Sequence, residues 1–328
     1  MIEKKNLVPL LMSALNIIFG FIFFALITRE NIEYLGIFSF VHGGSIILSH
    51  FFRFGTDFDI FKNSSDLKKI YGEEDSIVSH IIIFNIFCLF FLIIFHLFFN
   101  ISSMIFYTIM MALTLSLNIV ISNFFRRQNY ILFYSMFLNS PFIIATAGLF
   151  FLPITNSFTA INIFLGAFYL LIIFELFFLK FYFKFNFFEN INFRNIRPIF
   201  INLYPTFISG VILLFMEQLP VLAFGWSGDF ENAAIFKILS KICVVLVIIS
   251  NAFFASAIPE ISITNPKNLS SIELIYNKAS SKAFILSSIY MLAIFLFLPI
   301  IINIFSVEIS YSNLIFLFLG NLIIVFSG

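Results

Sequence analysis

Polar and apolar residues come in separate blocks along this chain. Ten apolar stretches approach the roughly 20 residues that a helix needs to cross a bilayer. They cover 6–28, 34–54, 77–99, 102–124, 130–152, 158–179, 200–224, 233–257, 283–305 and 311–326. The pattern predicts an all-α, polytopic membrane protein of about ten transmembrane helices. Some breaks between the stretches are only a few residues long, such as "NIS" near Asn100 and "PITNS" from Pro153. Others are longer and basic: "KNSSDLKKIYGEEDS" from Lys62 to Ser76, and "KFYFKFNFFENINFRNIRP" from Lys180 to Pro198.

Composition agrees with the blocks. The chain is 61% hydrophobic and 11% charged, with a mean hydropathy of +1.07, outside the range of soluble domains. The 53 Phe, beside abundant Ile and Asn, fit a bias towards AT-rich codons, so a single Phe is weak evidence for a binding platform. Cys88 and Cys243 both lie in apolar runs without metal-ligand spacing, and predict neither a disulfide framework nor a metal site. The first apolar stretch follows a basic start, as in a signal peptide, but it is of helix length and lacks a small-residue cleavage site. It is expected to be a retained span.

The net charge of +1 says nothing about partners; the positions of the charges do. With the N-terminus in the cytoplasm, the inner side holds Lys4, Lys5, Arg53, Lys62, Lys68, Lys69, Arg126, Arg127, Lys180, Lys184, Arg194, Arg197, Lys267, Lys278 and Lys282. Among loop residues only Arg29 falls outside, so the distribution of positive charge fixes the orientation. The loop from Lys180 mixes cations with aromatics, as a segment at the membrane interface does, and equally as an ordinary basic inner loop does. It divides the chain into an N-terminal six-helix lobe (1–180), an interfacial linker (181–198) and a C-terminal lobe of four helices (199–328).

A weak internal repeat supports that division. Shifting the chain by 198 residues lays "NLVPLLMSALNIIFGFIFFALITRENIEYLGIFSF" over "YPTFISGVILLFMEQLPVLAFGWSGDFENAAIFKI" without a gap, with Leu15 over Leu213, Ala25 over Ala223 and Glu33 over Glu231. Each copy is a long span, a short acidic turn and a second span opening on Ile-Phe. Six spans separate the copies, so they share one orientation, the parallel repeat of some transporters.

Ionisable residues inside the bilayer are costly and mark function by default. The seventh stretch runs outward and puts Glu217 roughly 10 Å below its outer end; the eighth runs inward and puts Lys237 and Lys241 about 6 and 12 Å below the same face, at 1.5 Å per residue. The two lysines share a helix face by their i, i+4 spacing. A Glu217–Lys241 pair is expected, leaving the other lysine to meet an anion. The alternative is that Lys237, and less readily the deeper Lys241, snorkels to the headgroups. Pro205, Gly210 and Pro220 would loosen the seventh helix around these charges.

The first six spans offer a less charged set: Asn16, His42, Asn118, and Asn139-Ser140-Pro141 in mid-span. Each is either a ligand contact or interhelical hydrogen-bond glue. Glu175 and Arg53 lie near the inner ends of their spans. Arg53, beside Asp57 and Asp59, serves as a membrane-boundary anchor or meets a phosphate headgroup.

The opening "EYLGIFSF" at Glu33 to Phe40, followed by "FRFGTDFD", resembles the polysaccharide (O-antigen) flippases of the multidrug/oligosaccharidyl-lipid/polysaccharide exporter superfamily. "YPTFISGVILLFMEQLPVLAF", "ENAAIFKILSKI", "FFASAIPEIS" and "YNKASSKAFILSS" resemble them again in the second half. The resemblance implies two six-helix lobes around a central cavity in the plasma (inner) membrane. It implies alternating-access passage of an undecaprenyl-pyrophosphate-linked oligosaccharide, an O-antigen, capsule or exopolysaccharide unit, to the outer leaflet, with no cofactor. Lys237, Lys241 and Arg53 are the positions for cations that engage pyrophosphate and sugar acids; Glu217, Asn16, His42 and Asn139 complete the expected cavity. The implied partners are the lipid-linked oligosaccharide, membrane lipids, and the polymerase and glycosyltransferases of the same pathway, without nucleic acid. The chain stops within the tenth stretch, so against the family pattern two helices of the second lobe are expected to be missing.

An ion-coupled drug or metabolite exporter of the same superfamily fits the same fold, with Glu217 as a coupling group. A membrane enzyme of polysaccharide assembly needs a clustered catalytic set; His42, His50, His80 and His96 are scattered and the outer loops are short. A structural membrane protein would not need buried lysines. No nucleotide-binding motif points to direct use of ATP.

Overall fold

The computed structural model describes residues 4–54, 75–127, 130–185, 196–263, 269–305, 307, 314–316 and 318–320. Among these residues the regular elements are helices: α1 (Lys4–Glu30), α2 (Ile32–Arg53), α3 (Asp75–Phe99), α4 (Ser103–Arg127), α5 (Ile131–Asn139), α6 (Pro141–Phe151), α7 (Thr159–Phe181), α8 (Ile196–Trp226), α9 (Phe230–Ile263) and α10 (Leu269–Phe305). Seven of them are long and apolar enough to cross a membrane, or eight if the bent pair α5 and α6 is counted as one span. The stretch 233–257, expected as a span, lies within the 34-residue α9. The stretch 311–326 lies mostly outside the described residues, as do Asp57, Asp59 and most of the two long basic loops.

The expected fifth span is broken in its middle, and the residues at the break explain it. Pro141 has no N–H to donate to the carbonyl of Phe137 four residues earlier. Just before it, the Asn139 amide donates to Ser135 O at 2.9 Å and the Ser140 hydroxyl to Met136 O. Such back-bonding pulls carbonyls off the helix ladder, and α5 meets α6 at 44°. α8 runs without a break through both Pro205 and Pro220.

Contacts divide the chain into two compact units, Met1–Ala234 and Ile235–Gly328. The division falls inside α9, away from the linker expected at 181–198. In the first unit, α2 packs on α4, α8 and α1, while α4 packs on α3, α5 and α7. Glycines let α8 and the start of α9 lie against α2. A Cβ at Gly210 would meet the His50 ring at 2.5 Å, one at Gly225 the Phe40 ring at 2.1 Å, and one at Gly36 the Phe230 carbonyl oxygen at 1.9 Å. Small residues at such crossings let helix backbones approach closely where no hydrophobic drive exists.

Aromatic rings fill the rest of this unit. Phe23, Phe38, Phe142 and Phe164 from four helices meet at centroid distances of 4.8 to 5.7 Å, near the offset and edge-on spacings that rings prefer. A second cluster gathers Phe124, Phe125, Phe137 and Leu179 among its buried members, with Phe133 and Phe178 against it. Phe87, Phe90, Phe91 and Phe98 on α3 remain exposed, as befits a helix facing lipid.

In both copies of the predicted repeat a side chain caps the start of the second helix. Asn31 caps α2, its Oδ1 accepting from the Glu33 N–H at 2.8 Å. The aligned residue, Asp229, directly precedes α9 and accepts from the Asn232 N–H at 3.2 Å. Each side chain satisfies a backbone donor that a helix start leaves without a partner.

In the second unit, Ile238, Ile242 and Leu246 of α9 are buried, as are Ala283, Ser287 and Leu298 of α10. The Tyr290 hydroxyl donates to Ile242 O at 3.0 Å and joins the two helices. α10 begins at Leu269, well before the expected span at residue 283. Its first turns are amphipathic, with Ala279, Ser280 and Ala283 buried and Glu273, Lys278 and Lys282 exposed. This pattern continues the helix beyond the apolar segment.

Candidate functional site

The cations singled out by the sequence lie where charge is expensive. Lys237 is 8% exposed and Lys241 is half-buried one turn later on α9, so the same face of one helix presents two ammonium groups. Lys241 directly precedes Ile242, whose carbonyl Tyr290 ties to α10. That bond fixes the helix backbone beside the lysine. Like charges at i, i+4 oppose each other, and an anion between them would relieve the repulsion.

Glu217 is exposed on α8 and accepts from the Gln218 amide at 3.1 Å; Gln218 itself is 3% exposed and lies against Gly43 of α2. Glu217 belongs to the first unit and both lysines to the second, so the Glu217–Lys241 pair remains an expectation.

The other expected cavity residues are all in the first unit, on three separate elements. Asn16 is half-buried on α1, and its Oδ1 has no hydrogen-bond partner. His42 stacks on Phe38 at 5.5 Å and 14° and meets Phe164 edge-on at 5.6 Å. Asn139 spends its amide on the backbone of its own helix, as part of the break. Arg53 ends α2 and is 4% exposed. Beside it, the Asn85 amide of α3 donates to Phe52 O at 3.3 Å, satisfying one of the carbonyls that a helix end leaves over.

A polar cluster in this unit joins Asn118 and Glu175, which the sequence places on separate spans, with Ser122, which it does not single out. Glu175 of α7 is 0% exposed. Its Oε1 accepts from Asn118 Nδ2 at 3.0 Å and from Ser122 Oγ at 2.9 Å, two α4 residues one turn apart. The same Asn118 amide donates to Phe137 O at 3.3 Å, the carbonyl that Pro141 leaves unpaired. Leaving such a buried carbonyl without a donor costs about 1–3 kcal/mol, so Asn118 stabilises the break as well as the carboxyl. The i, i+4 spacing of Asn118 and Ser122 was a visible signal. Their common partner, more than 50 residues further along, was not.

No family model and no curated protein matches the chain. A solved structure of a multidrug resistance MATE family transporter of the MOP superfamily, in an inward-facing conformation, does match. The alignment covers 97% of this chain and 80% of that one, at a TM-score of 0.56 and 16% sequence identity. This chain has a MATE-like transporter fold. The fold is the one that the resemblance carried by the paired hairpins implies. It does not separate the polysaccharide flippases from the drug exporters.

Proposed function

We propose that the protein is a flippase, moving an anionic lipid-linked oligosaccharide between the leaflets of the plasma membrane by alternating access. The carrying observation is the pair Lys237 and Lys241, one turn apart on α9 and withdrawn from the surface, within a MATE-like fold. Two ammonium groups so placed suit the pyrophosphate and acidic sugars of such a cargo, since their desolvation is offset when an anion approaches. In this reading Lys241 bears the main contact and Lys237 supports it, with the N-terminus in the cytoplasm as the distribution of basic loops requires. Glycosyltransferases and a polymerase of one polysaccharide pathway would act before and after it.

The second reading is an ion-coupled exporter of drugs or metabolites. It is favoured by the multidrug transporter of similar fold and by the acidic Glu217.

Complementation separates the two. In cells deleted for their own flippase and supplied with the matching glycosyltransferases, Lys241→Glu should abolish surface polysaccharide while the protein still reaches the membrane. Surface delivery at the unsubstituted level would remove Lys241 from the anion path, and drug efflux that survives Lys241→Glu but not Glu217→Gln would favour the exporter.

A further inference from the structure

We infer that Glu175 is a proton-binding site whose charge state is transmitted through Asn118 to the break between α5 and α6. This inference does not depend on the cargo proposed for α9.

Three observations carry it. First, the carboxyl is asymmetric: Oε1 takes two donors, whereas Oε2 is buried with no partner. A carboxylate there would hold charge on an oxygen with neither solvent nor donor, which hydrocarbon surroundings penalise heavily. The arrangement suits the acid, with the proton on Oε2. Second, both polar neighbours donate towards the carboxyl; a metal ion would need their lone pairs instead. Third, the Asn118 amide has two hydrogens and two acceptors, Glu175 Oε1 and Phe137 O, which fixes its orientation. The second acceptor is the carbonyl that Pro141 cannot serve.

The charged surroundings support the assignment. α2, α4 and α6 pack against α7, and α5 meets it through Phe133 and Phe137 on Phe178. Their titratable or charged residues are Glu33, Tyr34, His42, His50 and Arg53 on α2, Tyr107, Arg126 and Arg127 on α4 and Tyr134 on α5, while α6 has none; α7 itself adds Tyr169 and Lys180. The hydrogen bonds on the carboxyl come from Ser122 and Asn118. When the acid gives up its proton, the carboxylate becomes a stronger acceptor at both oxygens and competes for the Asn118 amide. Phe137 O then loses its donor unless the break rearranges or admits water. Proton release at Glu175 thus changes what the break at Ser140 must accommodate, and on this inference its angle responds.

Infrared difference spectroscopy of the full chain in lipid nanodiscs, recorded between acid and alkaline pH, reads the proton directly. The expected result is a buried carboxylic-acid carbonyl band that disappears on alkalinisation and is missing in Glu175→Gln. Identical difference spectra for the two proteins overturn the site. Should Glu175→Gln fail to fold, Glu175→Asp serves: its band must shift in frequency and still titrate, and an unaltered band has the same adverse meaning. The mechanical half is read by electron–electron distances between spin labels at Leu132→Cys and Phe150→Cys, with Cys88→Ser and Cys243→Ala. The distance should change over the pH range in which the band vanishes, stay at its acid value in Glu175→Gln, and stop responding in Asn118→Leu. A pH-independent distance, or one that still responds in Asn118→Leu, overturns the coupling. If sodium at constant alkaline pH restores the acid distance, the site binds a cation and the proton assignment falls.

Discussion

Gly36 leaves no room for a methyl group. The atom in its way is a backbone oxygen of Phe230, 1.9 Å from where a Cβ would sit, and a backbone cannot swing aside as a side chain does. Gly36→Ala should therefore cost on the order of 1–3 kcal/mol through overpacking, read as a fall in melting temperature in detergent. Gly166 is the control: a Cβ there meets nothing within 4 Å, and alanine within α7 should raise stability by about 0.5–1 kcal/mol. Equal effects at the two sites would show that α2 and the start of α9 do not meet as described. The sequence marks Gly36 only as one small residue among apolar ones, because its importance lies in a residue almost 200 positions away. Glu175 is similar. Its place near a span end was legible, but its partners come from another helix, and no local pattern encodes which faces meet.

Local signals carried the elements much further than they carried the contacts. Hydropathy placed eight of the expected spans on single helices and a ninth on the pair α5 and α6, since an apolar run of that length has few other ways to satisfy its backbone in lipid. The break at Ser140 was written in three adjacent residues, yet the same residues also suited interhelical hydrogen bonds. What decided between these uses was the Asn118 amide from α4. The start of α10 was missed because its first turns are too polar to register as a span, although their apolar spacing is helical. The aligned caps make a prediction at this scale. Asn31→Ala and Asp229→Ala should each destabilise by about 0.5–2 kcal/mol, and Asn31→Asp and Asp229→Asn should both be close to neutral. Thermal melts of the four variants check this; a cap that matters in only one hairpin would leave the repeat a likeness of sequence alone.

Across the whole molecule, orientation is the property on which the proposed transport depends most. Single cysteines at Ser157 and Ser227, in the turns after α6 and α8, should react with a membrane-impermeant maleimide on intact cells, while one at Lys184 should react only after lysis. The reverse pattern would invert every leaflet assignment made for the cargo. Fold class was legible at this scale because bilayer thickness dictates helix length. The division at Ala234 and Ile235 was not, because packing of α8 on α2, rather than a run of loop residues, decides which helices belong together. α10 has a practical consequence of its own. Its 37 residues extend about 55 Å at 1.5 Å per residue, against an apolar layer of about 30 Å. The polar turns bearing Glu273, Lys278 and Lys282 thus form a stiff handle on the helix. An antibody fragment raised against them would add rigid mass for imaging particles by electron microscopy.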